Sequence, residues 1–309
     1  MSPFQNILVG VDLSQGDWLA ADEGESSSQS ACEQAIQLSK ATGAKLHFLA
    51  TLDLDERTKR LIEESGSEED TVVGMAKKAL RRFTEQASKA GVSATSNVVL
   101  GRSRSELAER AKSAEHDLVM VGTRDHGVLS GLLLGSTSLE LLRTSPCPLW
   151  VAKPSASPTP KRILVATNFS PVCHALVNVG AELAQKFDSE LHVVHVVSTH
   201  RKRFLQFSSV PPDEVEAEHR EQLAAGRQQL DELADRPAVA VLDPPPTLHL
   251  LEGRTSQVIQ EQVTNLGIDL LLMGTVAWSG VPGMLLGSTA QNLLPQLTCS
   301  LLTMRPDEL

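Results

Sequence analysis

The segment "GTRDHGVLSGLLLGST" runs from Gly122 to Thr137 after the apolar run "HDLVMV", and "GTVAWSGVPGMLLGST" repeats it from Gly274 to Thr289 after "IDLLLM". The offset is 152 residues, and Cys147 and Cys299 share it, as do Gly101 and Gly253. A chain of 309 residues is near two average domains, so the repeat predicts a duplicated domain of roughly 150 residues.

Short apolar runs closed by turn residues alternate with helical patterns in both halves. The first half gives strands "NILVGVD" (6–12), "KLHFLAT" (45–51), "ATSNVVL" (94–100), "DLVMVG" (117–122) and "PLWVA" (148–152), with helices near 28–42, 68–90, 103–115 and 135–145. The second half gives "RILVATN" (162–168), "ELHVVHV" (190–196), "TLHLLEG" (247–253), "DLLLMG" (269–274) and "SLLTM" (300–304), with helices near 171–187, 212–235, 255–266 and 287–297. Runs such as "LVMV" and "LLLM" are apolar at every position, as strands covered on both faces must be. The fold class predicted is α/β: two tandem Rossmann-like domains, each an open five-stranded parallel sheet with helices on both faces. "KPSASPTPKR" (153–162) reads as a linker, which divides the chain into 1–156 and 157–309. The first half carries extra residues after Ser14, in "QGDWLAADEGESSS", expected as a surface loop or flap. The second carries them in "RPAVAVLDPPPT", where three prolines oppose helix and central strand.

Composition excludes several function classes. The net charge of −10, from 28 Lys and Arg against 38 Asp and Glu, argues against a nucleic-acid footprint. One basic run, "HRKR" at 200–203, is expected in a solvated loop. No apolar stretch is long enough to span a membrane, and "MSPFQNILVGVD" has no secretory pattern, so a cytoplasmic location is expected. The four cysteines, Cys32, Cys147, Cys173 and Cys299, lack metal-finger spacing and read as reduced, packed thiols. His192 and His195 stand three apart on a strand and so face opposite sides, which leaves no metal site.

The repeated loop leaves the carboxyl end of a strand and finishes in Gly-Ser-Thr before a helix. Ser or Thr there can cap the helix, and the free N–H groups and dipole of the first turn would attract an anion. A plain helix start fits the same residues. The loop is no Walker motif, since no Lys follows the glycine of "LLLGST". Neither "VGVDLSQG" nor "VATNFSP" after the first strands is a dinucleotide fingerprint.

The strand "ILVGVDLS", the segment "GRSRSELAERAKSAEHDLVMVGTRDHG" and the block "LLLGSTSLELLRTSPCPLWVAK" resemble the universal stress protein family. The second half repeats them with "ILVATNFS", "EGRTSQVIQEQVTNLGIDLLLMGT" and "MLLGSTAQNLLPQLTCSLLTM", so the chain is most similar to the tandem, E-type members. The resemblance implies ATP or AMP as a ligand, with Mg²⁺ only together with nucleotide. Nucleotide-binding members carry G-2x-G-9x-G-S/T for the phosphates, an Asp after the first strand and a residue ending the second strand for ribose and adenine. Carried over, these are Asp12, Thr51, Gly122, Gly135, Ser136 and Thr137 in the first half. In the second they are Asn168, Val196, Gly274, Gly287, Ser288 and Thr289.

Both halves depart from the pattern at the middle glycine, which is Asp125 in one and Ala277 in the other. Like charges 4 Å apart repel by about 1 kcal/mol in water and about 4 kcal/mol at an effective dielectric near 20, so an inward Asp125 would oppose phosphate. Ala277 adds a methyl, costing roughly 1–2 kcal/mol if a left-handed backbone is required. Asn168 keeps a hydrogen-bonding carbonyl in place of the ribose-binding Asp but loses its charge.

The expected function is therefore a stress-response protein that binds adenine nucleotide in at least one domain. The alternative is a tandem scaffold with degenerate sites that binds another ligand or a protein partner. No catalytic constellation can be assigned, so an enzyme is not expected. Because family members dimerise through the last strand, the resemblance also implies pairing of the two last strands, near Trp150 and Leu302, within one chain, or a homodimer; each half behaving alone as a soluble monomer would count against it. Ser103 and Glu106, in "SRSE", read as a capping box. Trp18 reads as a surface aromatic, Trp278 as one that packs into its own loop or blocks the cleft, and Arg124 and Arg143 as solvent-exposed.

Overall fold

A computed structural model describes residues 3–13, 27–53, 72–123, 135–154, 157–208, 210–275 and 286–305. Trp18, Arg124, Asp125, Ala277 and Trp278, and the expected flap up to residue 26, lie outside the described residues. The chain divides into two compact units, Met1–Thr159 and Pro160–Leu309.

In the first unit the elements run β1 (Asn6–Val11), α1 (Ser27–Thr42), β2 (Lys45–Leu52), α2 (Val72–Lys89), β3 (Ala94–Leu100), α3 (Ser103–Ser113), β4 (Leu118–Gly122), α4 (Ser136–Thr144) and β5 (Leu149–Ala152). The strands are parallel in the order β3-β2-β1-β4-β5. β1 therefore has β2 on one side and β4 on the other. That reversal opens a crevice beyond the carboxyl ends of β1 and β4, where open α/β sheets hold ligands. The all-apolar runs explain the burial: Ile7, Leu8, Val9, Leu118, Val119 and Met120 are fully enclosed.

The second unit repeats the plan. It runs β6 (Arg162–Thr167), α5 (Pro171–Phe187), β7 (Glu190–Ser198), α6 (Thr199–Gln206), α7 (Pro212–Ala234), α8 (Pro237–Ala240), β8 (Thr247–Gly253), α9 (Thr255–Leu266), β9 (Leu270–Gly274), α10 (Ser288–Leu293) and β10 (Ser300–Met304). The strand order is β8-β7-β6-β9-β10, again parallel. Gly180 lets α5 lie close on this sheet, since a Cβ there would stand 2.7 Å from Val165 Cγ2.

Two local readings change. The basic run at 200–203 is not a loop but part of α6, whose N-cap Ser198 accepts a hydrogen bond from the His200 N–H at 3.3 Å. No Gly or Pro interrupts 199–206, so a capped turn propagates despite the charge. The capping box "SRSE" is not formed either. Arg102 is the N-cap of α3 without a side-chain bond, which places Ser103 one position inside the helix and frees its hydroxyl.

Candidate functional site

The end of β1 delivers Asp12 to the crevice of the first unit. Its N–H donates to Ser28 Oγ at 2.9 Å, and that hydroxyl donates back to the Asp12 carbonyl at 3.1 Å, so the start of α1 fixes the backbone while the residue itself stays exposed. Thr51 is the penultimate residue of β2, and its hydroxyl donates to Ser103 Oγ at 2.5 Å across to α3. β4 ends in Gly122.

α4 starts with Gly135 as its N-cap, at φ −64° and ψ 166°. Glycine has no side chain to accept, so no side-chain cap forms, contrary to the expectation that Ser or Thr caps this junction. The first helical bond is Leu139 N–H to Gly135 O at 3.1 Å, which leaves the N–H groups of Ser136, Thr137 and Ser138 facing the crevice without a capping acceptor. An anion placed here meets those donors and the positive end of the helix dipole.

These pieces line a cavity that is open to solvent. Asp12, Thr51, Gly122, Gly135, Ser136 and Thr137, all six residues carried over for this half, line it together with Gly10, Val11, Ser28, Leu49, Ser103, Leu107, Val121 and Ser138. Gly10 forms part of the floor, where a Cβ would press to 2.9 Å on Leu107 Cδ1. Leu49, Leu107 and Val121 supply an apolar side and the hydroxyls a polar one. Ser28 and Ser103 were missed in the sequence: the extra residues before α1 hide Ser28, and the capping motif disguised Ser103.

The corresponding set of the second unit is not gathered in this way. Asn168 turns back on its own chain, its Oδ1 accepting from the Ser170 N–H and from Cys173 Sγ, each at 3.1 Å. Phe169 follows at φ 61°, and its ring lies 4.3 Å between centroids from His195, which is bonded through Nδ1 to the Thr167 carbonyl at 2.9 Å. Val196 is buried and has no hydroxyl to offer. A cavity open to solvent does occur in this unit, but of the carried-over residues only Ser288 and Thr289 are in its described lining. The others are Ser198, Thr199, His200, Gly253, Arg254, Thr255, Ser256 and Asn292, none of which was singled out as a binding residue. Asn168, Val196, Gly274 and Gly287 are not in that lining.

No group of three His, Cys, Asp or Glu able to hold a metal occurs among the described residues. His192 and His195 do face apart: His192 Nδ1 lies 3.1 Å from His249 Nε2, while His195 bonds Thr167. All four cysteines are buried, and none of them is in a disulfide. Arg143 is exposed on the last turn of α4. Among the described residues no helix is long and apolar enough to cross a membrane.

The model of the universal stress protein family matches residues 3–153 and again 159–305. The chain belongs to that family. Its tandem arrangement is that of the E-type members: it is similar to universal stress protein E of Photorhabdus laumondii, 26% identical over 318 residues that cover 99% of this chain and 96% of the relative. Against universal stress protein E of Escherichia coli K12 it is 26% identical over 325 residues, covering 100% and 96%. Among solved structures, a universal stress protein from Archaeoglobus fulgidus DSM 4304 matches with a TM-score of 0.68 at 18% identity over 99% of both chains. A functionally unknown protein from Pseudomonas aeruginosa PAO1 matches with a TM-score of 0.69 at 21% identity, over 99% of this chain and 94% of that one. The two structures establish likeness of fold.

Proposed function

We propose that this chain is a cytoplasmic stress-response protein that binds one ATP or related adenine nucleotide, in the cavity of its first unit, and works by binding and not by catalysis. The observation that carries this is the convergence of Asp12, Thr51, Gly122, Gly135, Ser136 and Thr137 on one cavity at the sheet's switch point. The uncapped turn of α4 suits the phosphates, and any Mg²⁺ would arrive with them. The Asp12 carboxylate suits ribose hydroxyls, and the apolar wall of Leu49, Leu107 and Val121 suits a base.

Denaturing the purified protein and separating the released small molecules by anion exchange should yield adenine nucleotide, or titration of the empty protein with ATP and Mg²⁺ should give heat at one equivalent per chain. Gly135→Val, which adds bulk where backbone must approach phosphate, should abolish both. A clean supernatant together with no heat would remove the reading. The non-enzymatic part fails if ATP turnover exceeds that of the Gly135→Val, Gly287→Val double variant.

The scaffold alternative is favoured for the second unit by one observation. Asn168 spends its carbonyl on its own turn, so the residue that should meet ribose is already engaged.

A further inference from the structure

We infer that the corner where α6 turns into α7 is a surface on which two copies of this chain pair about a two-fold axis. Phe204, in the last turn of α6, is 71% exposed, and Phe207, the C-cap of the same helix, is 92% exposed. Three residues apart, they stand on one side of the helix. A solitary exposed apolar residue needs no explanation, but an aromatic pair on one turn, rimmed by charge, marks an association surface.

The charges beside the pair indicate what covers it. Residues 191–212 contain Arg201, Lys202 and Arg203 and no Asp or Glu, whereas residues 213–218 contain four acidic residues and no Lys or Arg. The basic run belongs to α6 and the acidic run opens α7. Within one chain the two runs touch where Lys202 Nζ stands 2.8 Å from Glu216 Oε1. Asp213 and Glu214 stay exposed, with no ion pair among the described residues. Pro211, the N-cap of α7, and Pro212 restrict the turn between the runs, so the corner is preorganised.

A patch that carries a positive and a negative part side by side around an aromatic pair is its own complement. A half-turn about an axis through the pair lays the phenyl groups on their copies and sets each basic run opposite the other chain's acidic run. A chain of net charge −10 repels its copies, whereas this corner, with three basic and four acidic residues, is close to neutral. An anionic membrane fits less well, because the acidic run that follows Phe207 would be repelled by it.

Sedimentation velocity of the full chain over a wide range of concentration should show a reversible equilibrium between monomer and dimer. Phe207→Ser should weaken the dimer about tenfold or more and leave the circular dichroism unchanged, since so exposed a ring supports no core. Charge reversal tests the symmetry. A variant with Arg201→Glu and Arg203→Glu, and another with Asp213→Lys and Glu214→Lys, should each remain monomeric alone. An equimolar mixture of the two should dimerise, because each then meets opposite charge along both runs. A chain that is monomeric at every concentration, or a mixture that associates no better than its parts, would overturn the inference. So would a dimer indifferent to Phe207→Ser, which would place the contact elsewhere, as in pairing of last strands. Binding of the monomer to phosphatidylglycerol vesicles, lost in Phe207→Ser, would overturn it in favour of a lipid surface.

Discussion

His47 sits on β2 with 9% of its surface exposed, at the end of the sheet away from the candidate site. Its Nδ1 bonds Thr95 Oγ1 at 2.8 Å, and its ring lies 5.8 Å from that of His116; neither Nε2 has a partner among the described residues. Burial, reinforced by the Arg110 guanidinium and by His116, pushes the His47 imidazole down from the ordinary 6.5 to about 4. Burial also lowers His116, against the hydrogen bond to the Asn6 carbonyl that favours its charge. The unfolded chain takes up protons below about pH 6.5 that the folded unit accepts only near pH 4, so this contribution is full above 6.5 and is lost as pH falls through that window. Urea midpoints should drop between pH 7 and pH 5, and His47→Gln, which keeps a donor for Thr95, should flatten the drop. An equal drop in the variant would show that other groups cause it.

The elements are fastened by a device that both units share. Asp117, ahead of β4, accepts from the Gln5 and Asn6 N–H groups at 2.6 and 2.9 Å, and Asp269, ahead of β9, accepts from those of Lys161 and Arg162 at 2.8 and 3.0 Å. Each carboxylate ties the start of one central strand to the start of its neighbour. Asp269→Ala should lower the unfolding free energy by about 2 kcal/mol, the scale of hydrogen bonds to a charged group. A loss under about 0.5 kcal/mol in urea denaturation would mean water replaces the carboxylate. The strands themselves were legible because "LVMV" and "LLLM" admit few environments other than a doubly covered sheet. Even β8, beside the prolines at 244–246, follows its apolar run. α6 was not legible, since its eight residues, basic over 200–203, carry no clear apolar periodicity and one cap at Ser198 decides the matter. The site of the first unit was legible only through its family resemblance. The turn that engages Asn168 had a local signal, an Asn two residues before Ser170, which sequence reading passed over.

At the scale of the molecule, duplication supplied two frameworks, and the described linings of their cavities differ: one mixes apolar and polar residues around Asp12, the other is polar around Arg254. The four buried thiols allow the two frameworks to be followed separately. Cys32 and Cys147 lie in the first unit, Cys173 and Cys299 in the second, and burial followed by the charge of Glu33 raises the Cys32 thiol well above its ordinary range. A maleimide can reach such sulfurs only when the surrounding structure opens, so each pair is a clock for its own unit. Nucleotide at about 100 times its Kd stabilises the bound form by about 2.7 kcal/mol, so it should slow modification of Cys32 and Cys147 about a hundredfold and leave Cys173 and Cys299 at their own pace. Slowing of the second pair alone would assign the nucleotide to the other unit. The chain thus carries, in side chains that take no part in binding, an internal record of which half a ligand has chosen.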